Sequence, residues 1–462
     1  MSRFQKNRRT LMIVVILALA IGCIITAVAL WPTKTETESD IKLTGVESSK
    51  INLLSLTSNG VTLTFSKSSG QWICREYPDF PLNGGYIDNL AESFSALTAK
   101  RRLTADEAAG IDIGQPTVTV TAGYDGGETS VYFCKLNEQT MSYYTRVGGG
   151  SVVYLVTNTL ADVFNKQLFS LADLKNGTTI LSSDVIEINV SVPGAEKLTL
   201  YYLKSGNSAI DYTGKHTWFY RRGNGDLKPA STTAAIAVLD AFQNINNERL
   251  AAFKATDSEM ASFGLTADSC TEVSINYKNS SGANESKITR FAAAGGDMTV
   301  ANTKGSDSIY YVDLSLVGSL QAAAAADLDP HDTFDIPIEA ITGFTVSIGG
   351  SSAHYKLTYN ESESAYYFQR DGGQKTKADS FVSLYNGLVA ALPQRVIGKG
   401  YTGAVVATIN VETSNTFFKT VMFTIYDYDE SFYASIISDG APLLLNRRTI
   451  DPLLEYAAGL VK

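Results

Sequence analysis

Four carboxylates and one imidazole crowd into the stretch DLDPHDTFD, where Asp327, Asp329, Asp332 and Asp335 flank His331. A loop that dense in oxygen is what a calcium ion needs, since it takes about six to eight oxygen ligands. The run lacks the glycine and the distal glutamate of an EF-hand loop, however, and it falls where two structural units should join. The competing reading is a solvated acidic linker. A second pair of carboxylates sits in YDYDE, where Asp427 and Asp429 are two residues apart and so share one face if the segment is a strand. Paired carboxylates are the machinery of glycoside hydrolysis; the alternative is the solvent face of a sheet.

The remaining chemistry is sparse. His216, His331 and His354 are far apart in sequence and none lies in an H-E-x-x-H context, so no zinc site has a spacing to stand on. No P-loop and no G-x-S-x-G elbow occurs, and Gly148 to Gly150 precede a strand as a turn would. Ser39-Asp40-Ile41-Lys42 has the S-x-x-K form without the companion motifs of a penicillin-binding site. No catalytic, cofactor-binding or metal residue is therefore assigned. Doubled tyrosines recur at Tyr143-Tyr144, Tyr201-Tyr202, Tyr310-Tyr311 and Tyr366-Tyr367. Neighbours in a strand point to opposite faces, so one of each pair should be core and the other outward, where it either stacks on sugars or a protein partner or packs under a helix.

The elements that carry these residues begin with a membrane span. Residues 11–31 hold no charge, and a helix of that length at about 1.5 Å per residue covers roughly 30 Å, the thickness of a bilayer's hydrocarbon core. Arg3, Lys6, Arg8 and Arg9 precede it and Glu36, Glu38 and Asp40 follow it, which places residues 1–10 in the cytoplasm and everything after Trp31 outside. A cleaved signal peptide is the alternative, as is lipidation of Cys23 in Ala20-Ile21-Gly22-Cys23. The chain of 462 residues has a net charge of −9, and setting aside the basic N-terminus makes the outer part more acidic still. Such a surface repels phosphate backbones and excludes nucleic acid as a partner. Four cysteines without C-x-x-C spacing are no disulfide framework, though Cys74 and Cys134 fall in one proposed repeat unit and a bridge between them remains open.

Beyond a Thr/Glu-rich tether at 32–45, the pattern predicts an α+β fold of three tandem related units at 46–170, 180–325 and 336–462. Each opens with two alternating apolar runs: INLLSLTS and VTLTFSK around the hairpin signal Asn59-Gly60, then VIEINVSV and KLTLYYLK, then ITGFTVSI and HYKLTYN. An aromatic strand follows at Trp72, Trp218 or Tyr367, expected to pin the sheet to the next helix. That helix is YIDNLAESFSALTAKR with Ile87, Leu90, Phe94 and Leu97 at helical spacing, then STTAAIAVLDAFQNINNER capped at Ser231 or Thr232, then ADSFVSLYNGLVAALPQR capped at Asp379 with Phe381, Leu384 and Leu388 on one face. Arg101, Arg249 and Arg395 stand near the helix ends, where they are expected to meet the terminal carbonyls. Further strands and a short helical run near Leu160 to Phe164, Leu314 to Leu320 and Ile450 to Tyr456 close each unit.

At the SGQW strand, the proline loop, the helix IDNLAESFSALTAKR and the strands PTVTVTAGYDGG, YYTRV and VYLV, the sequence resembles a bacterial family known as domain of unknown function 4340. KADSFVSLYNGLVAALPQRV in the third unit matches as well, whereas KPASTTAAIAVL in the second keeps only the helical pattern. Members of that family look like membrane-anchored envelope proteins, often encoded beside ABC-type transporter subunits and gliding-type auxiliary proteins. The resemblance implies a transporter-associated partner. The expected function is a non-enzymatic extracytoplasmic scaffold held by one N-terminal helix; the alternatives are a cell-wall polysaccharide-binding module and a hydrolase built on YDYDE or DLDPHDTFD.

Overall fold

The computed structural model describes residues 40–175, 179–295, 298–331, 335–391, 393, 395–397, 401–438 and 440–462. The span expected over 11–31, Cys23 and most of the tether lie outside the described residues. Among the described residues no helix is long and apolar enough to cross a membrane. The chain divides into two compact units, Met1–Asp173 and Leu174–Lys462. The first holds one large antiparallel sheet and the second holds two, each with helices against it, so the class is α+β.

The first sheet runs, in spatial order, Gln71–Cys74, Val61–Ser68, Ile51–Ser58, Val118–Tyr124, Gly127–Asn137, Ser142–Val147, Tyr154–Thr157 and Arg101–Arg102. The second adds the edge Lys228–Pro229 and then repeats that order: Trp218–Arg222, Leu198–Tyr202, Val185–Ser191, Thr271–Lys278, Asn284–Ala293, Thr299–Thr303, Ile309–Val312 and Asn247–Ala252. The third adds Lys375–Lys377 and continues Ala365–Arg370, Ser351–Asn360, Ile341–Ile348, Val405–Thr413, Thr420–Asp427, Phe432–Ile437, Leu443–Asn446 and Arg395–Val396. In all three, the first strand in sequence carries an irregularity at its start, between Ile51 and Leu53, Val185 and Glu187, and Ile341 and Gly343. A bulge of this kind re-aims the side chains that follow it.

Strand alternation sets the faces. In Val118–Tyr124 the side chains of Val118, Val120 and Ala122 are buried while Thr119 and Thr121 face the other way. The hairpin at Asn59-Gly60 forms as expected, with both residues at positive φ, 51° and 78°, the conformation a two-residue I′ turn requires. Helices Gly84–Ser95, Thr232–Gln243 and Asp379–Ala390 follow the first three strands and cross to the far edge of their sheets. Asn83 caps the first, accepting from Gly85 N at 3.1 Å, and Ser231 caps the second. Asp379 is no cap: the cap position is Ala378, and Asp379 sits inside the first turn, where its charge still meets the positive end of the helix. Phe381, Tyr385 and Leu388 form the buried face of that helix, with Phe381 stacked on Phe344 at 4.0 Å.

The arginines do not lie at the helix ends. The helices stop at Ser95, Gln243 and Ala390, and Arg101, Arg249 and Arg395 belong to the short strands that complete the far edges. Arg101 pairs with Glu107, and Arg249 lies over the Tyr311 ring at 4.0 Å. Charge on an exposed edge strand discourages pairing with another chain. The aromatic expectation holds twice and fails once. Trp72 and Trp218 are buried, and Trp72 Nε1 donates to Asp88 Oδ1 of the helix at 2.7 Å. Tyr367 points away from the core and donates to Glu363; Tyr366 and Phe368, one residue either side, pack inward instead.

Residues 40–45 of the expected flexible tether are docked. Ile41–Lys42 pairs with Thr98–Ala99, and Thr44 Oγ1 donates to Phe94 O at 2.6 Å. Ile41 and Leu43 pack on the first core, which accounts for the departure. Cys74, Cys134 and Cys270 are buried free thiols.

Candidate functional site

The acidic run does not gather its carboxylates around one point. Asp327 faces His331 at 3.3 Å, Asp329 Oδ1 accepts from the Tyr220 hydroxyl at 2.5 Å, and Asp335 pairs with Lys215. Asp332 lies outside the described residues. No cluster of three or more His, Cys, Asp or Glu able to hold a metal ion occurs among the described residues. Among the described residues, Leu328 within the run is buried in the core of the second sheet, and Ile336 just after it in that of the third, while Asp327 is exposed.

In YDYDE the strand ends at Asp427, and Asp429 lies in the following turn, so the two do not share a strand face. Asp429 Oδ1 accepts from Ser431 N and Phe432 N, both at 2.8 Å, while Asp427 pairs with Arg447. These contacts give each carboxylate a structural task in closing the turn. The doubled tyrosines split as alternation requires. Tyr143, Tyr202 and Tyr366 pack on their cores, while Tyr201 and Tyr311 lie beneath Arg221 and Arg249.

His354 is bracketed by two carboxylates, with Nδ1 2.9 Å from Asp371 Oδ1 and Nε2 3.3 Å from Glu412 Oε1. The hydrogen bond to Asp371 raises its pKa above the ordinary 6.5; partial burial opposes this, and the charges of Asp371 and Glu412 add to the rise. A raised folded value means the stabilisation is complete below the unfolded pKa and is lost as pH rises through the folded one. Stability of wild type is therefore expected to decline from pH 6 upward by an increment that His354→Gln abolishes. Paired urea titrations at pH 5.5 and 8.5 check this, and equal pH slopes for the two proteins would refute it.

What the structure builds that no motif announced is a cavity of about 300 Å³ against the second sheet. Its floor is the helix-facing side of three neighbouring strands. Lys287, Thr289 and Phe291 alternate along the first, Ala301 and Thr303 come from the second, and Tyr310 and Val312 come from the third. Its roof is the end of helix Thr232–Gln243, with Phe242 and Gln243. Gln243 holds the wall by a two-way clamp, accepting from Ile180 N at 2.7 Å and donating to Ile180 O at 3.2 Å. The Thr289 and Thr303 hydroxyls meet across the strands at 3.3 Å, and the Lys287 ammonium lies 5.5 Å from the centre of the Phe242 ring. Burial lowers the pKa of Lys287, because the charged form loses hydration.

Ladder registers identify the corresponding positions in the other sheets. Counting from the bulged strand across, Lys287, Thr289 and Thr303 correspond to Thr129, Val131 and Val147 of the first sheet, and to Val421, Phe423 and Ile437 of the third. Val131, Val421, Phe423 and Ile437 are buried apolar core. The third sheet packs hydrocarbon at all three positions and the first at two of them, with Thr129 at the other, whereas the second places a lysine and two threonines beside a cavity.

Residues 72–267 match the model of the family described as Domain of unknown function (DUF4340). The resemblance to DUF4340 is shown over these residues, 196 of the chain's 462. The DUF4340 match begins at Trp72, runs through the rest of the first sheet and into the second, and includes Phe242 and Gln243 of the cavity but stops short of Lys287. No curated protein and no solved structure matches the chain. Sequence reasoning missed Lys287 because a lysine within a strand reads as an outward residue. The signal was the parity of ESKITRFAA, in which Lys287 falls in phase with Phe291, a core residue.

Proposed function

We propose that this protein is a membrane-anchored, extracytoplasmic, non-enzymatic scaffold whose three sheets are tandem copies of one α+β unit. The observation that supports this reading is the shared strand order, with its bulge at one place in each sheet. A duplicated unit displays similar surfaces at fixed intervals, which suits a chain that holds partners in place. The second and third sheets are tied together as such a spacing demands. The loop at 207–216 places Tyr212 edge-on to Phe418, centroids 6.2 Å apart, and Asn415 Nδ2 donates to Ser208 O at 3.2 Å.

The uncharged stretch at 11–31 would hold these units at the outer surface of the membrane, where confinement raises the effective concentration of a weak partner. An ABC-type transporter subunit or another envelope protein is the partner class that the family resemblance suggests. The test is affinity isolation of the full chain in mild detergent, with a variant lacking residues 1–31 as control. Envelope transporter subunits should be enriched with the full chain by about tenfold over the control, the order of gain that confinement supplies. Recovery of the full chain without any membrane protein would overturn the scaffold reading.

A further inference from the structure

The first sheet leaves open an edge that the other two close with strands of their own. We propose that its edge strand Gln71–Cys74 is completed by an extended, lysine-bearing segment of a partner protein, which adds beside it as a ninth strand. This mode of docking rests on the scaffold reading for there being a partner, and names how that partner attaches.

Ladder registers counted outward from the bulged strands bring Trp72, Trp218 and Phe368 to one position. Arg75 N donates to Thr64 O at 2.8 Å, and bonded pairs alternate along an antiparallel ladder. Ile73 therefore bonds inward to Ser66, while Trp72 turns its backbone N–H and C=O outward. In the second sheet Trp218 O accepts from Ala230 N at 2.8 Å, next to the covering strand Lys228–Pro229. In the third, Tyr366 O accepts from Ala378 N at 2.8 Å, and Thr376 of the covering strand Lys375–Lys377 stands opposite Phe368. Among the described residues no strand lies beyond Gln71–Cys74.

The connection that would supply one is engaged elsewhere. Tyr77 N donates to Cys74 O, Phe80 N to Tyr77 O and Leu82 N to Phe80 O, while Asn83 N donates to Leu171 O and Asp173 N to Pro81 O. Pro78 and Pro81 have no N–H to give. What remains at Trp72 is an unpaired donor and acceptor of the kind on which a further strand assembles.

Length and charge select the occupant. Four residues make about 13 Å of edge, and two copies joined there alone would fall far short of the roughly 1,200–2,000 Å² of a stable interface. An extended segment held by backbone bonds is what fits. The chain's own covers show the kind: Lys228, Lys375, Thr376 and Lys377 are all exposed, so those strands stay in place without side chains in a core. Around the open edge three carboxylates, Glu76, Asp79 and Asp88, stand against two cations, Lys67 and Arg75, and the balance favours a basic segment. Ile73, exposed on the solvent face of the strand, offers a cross-strand apolar contact.

The test is hydrogen exchange of the full chain in detergent, resolved to single amides by mass spectrometry. In the free protein the Trp72 amide should be protected about a hundredfold less than that of Phe368, which a strand covers. The probe is the third sheet's own cover, Gly373–Ala378, as a peptide blocked at both ends. At five times its Kd it should slow Trp72 exchange about sixfold by mass action. The same peptide methylated on the Thr376 amide nitrogen lacks the donor for Trp72 O and should leave the rate unchanged. A Lys375→Glu, Lys377→Glu peptide should bind about threefold weaker or worse. Trp72 protected as well as Phe368 in the free chain would overturn the open edge. No slowing at about 10 mM peptide, the weak end for a segment that must be ordered on binding, or equal slowing by the methylated form, would overturn strand addition. Equal binding of the acidic peptide would overturn the basic occupant. Each readout concerns the first sheet alone, so failure here leaves the transporter isolation to stand on its own result, and the converse holds.

Discussion

Asp211→Asn is expected to lower the unfolding free energy by about 2–4 kcal/mol and to split the unfolding of the second compact unit into two transitions. Asp211 is 1% exposed and ties the loop into a knot. Its Oδ1 accepts from Thr213 N at 2.9 Å and Thr213 Oγ1 at 2.7 Å, while Oδ2 accepts from His216 N at 2.9 Å and faces His216 Nδ1 at 3.0 Å. An asparagine would aim an N–H₂ at one of these sets of donors and leave buried groups without partners. The loop carries Ser208 and Tyr212, which meet Asn415 and Phe418, and Lys215, which pairs with Asp335. Loosening it should undock the second sheet from the third before either core melts. Urea denaturation followed by both tryptophan and tyrosine fluorescence in a Trp31→Phe, Trp72→Phe background reads this, since the remaining tryptophan, Trp218, then reports the second sheet. A single transition with an unchanged midpoint would show that the loop carries no such coupling.

The same group gives an acid dependence with a definite sign. Burial alone would raise the pKa of Asp211, but hydrogen bonds from His216 and Thr213 outweigh it and leave the value below the ordinary 3.8. A depressed folded value means the stabilisation is present above the unfolded pKa and is lost as pH falls through the folded one. Acid should therefore undock the loop in wild type, and Asp211→Asn should remove that part of the acid transition.

The ladder of strands was legible because its signals are local. Alternation in INLLSLTS and TVTVTAG, the Asn59-Gly60 turn and the helical spacing of Ile87, Leu90 and Phe94 each depend on neighbours a few residues away. Thr104 and Glu107 form a capping box, as do Thr256 and Glu259, and these T-x-x-E signals could have been read in the same way. The far-edge strands were not legible. Arg101–Arg102 and Arg395–Val396 are two residues long, too short for a period to show, and their pairing partners lie about fifty residues later in the chain. The loop around Asp211 has the composition of any polar turn; its knot depends on which oxygen meets which amide. The cavity escaped for a different reason. Its lining comes from strands whose pattern is ordinary, and only the register across three sheets shows that Lys287 stands where Val421 is packed.

Trp218→Ala is expected to cost about 3–5 kcal/mol, the range for removing a large buried aromatic from a core, whereas Tyr367→Ala should cost less than about 1 kcal/mol, as for a surface change. Sequence put these two residues in equivalent places, and the structure separates them by one step of strand parity. The Trp218 ring is 1% exposed and lies against Tyr202 with centroids 5.3 Å apart, beneath the helix whose Ala235, Val238 and Leu239 complete the core. Tyr367 faces the opposite side of its sheet, so truncating it opens no cavity. Its inward neighbour Phe368, set edge-on to Tyr355 at 5.2 Å, should behave like the tryptophans and cost about 2 kcal/mol or more when cut to alanine. Denaturant titrations of the three variants decide the matter, because a one-residue shift of register would exchange the ranks of Tyr367 and Phe368. A Tyr367→Ala penalty equal to that of Trp218→Ala would mean that the third sheet is paired one residue out of phase, and with it every inward position assigned to that strand.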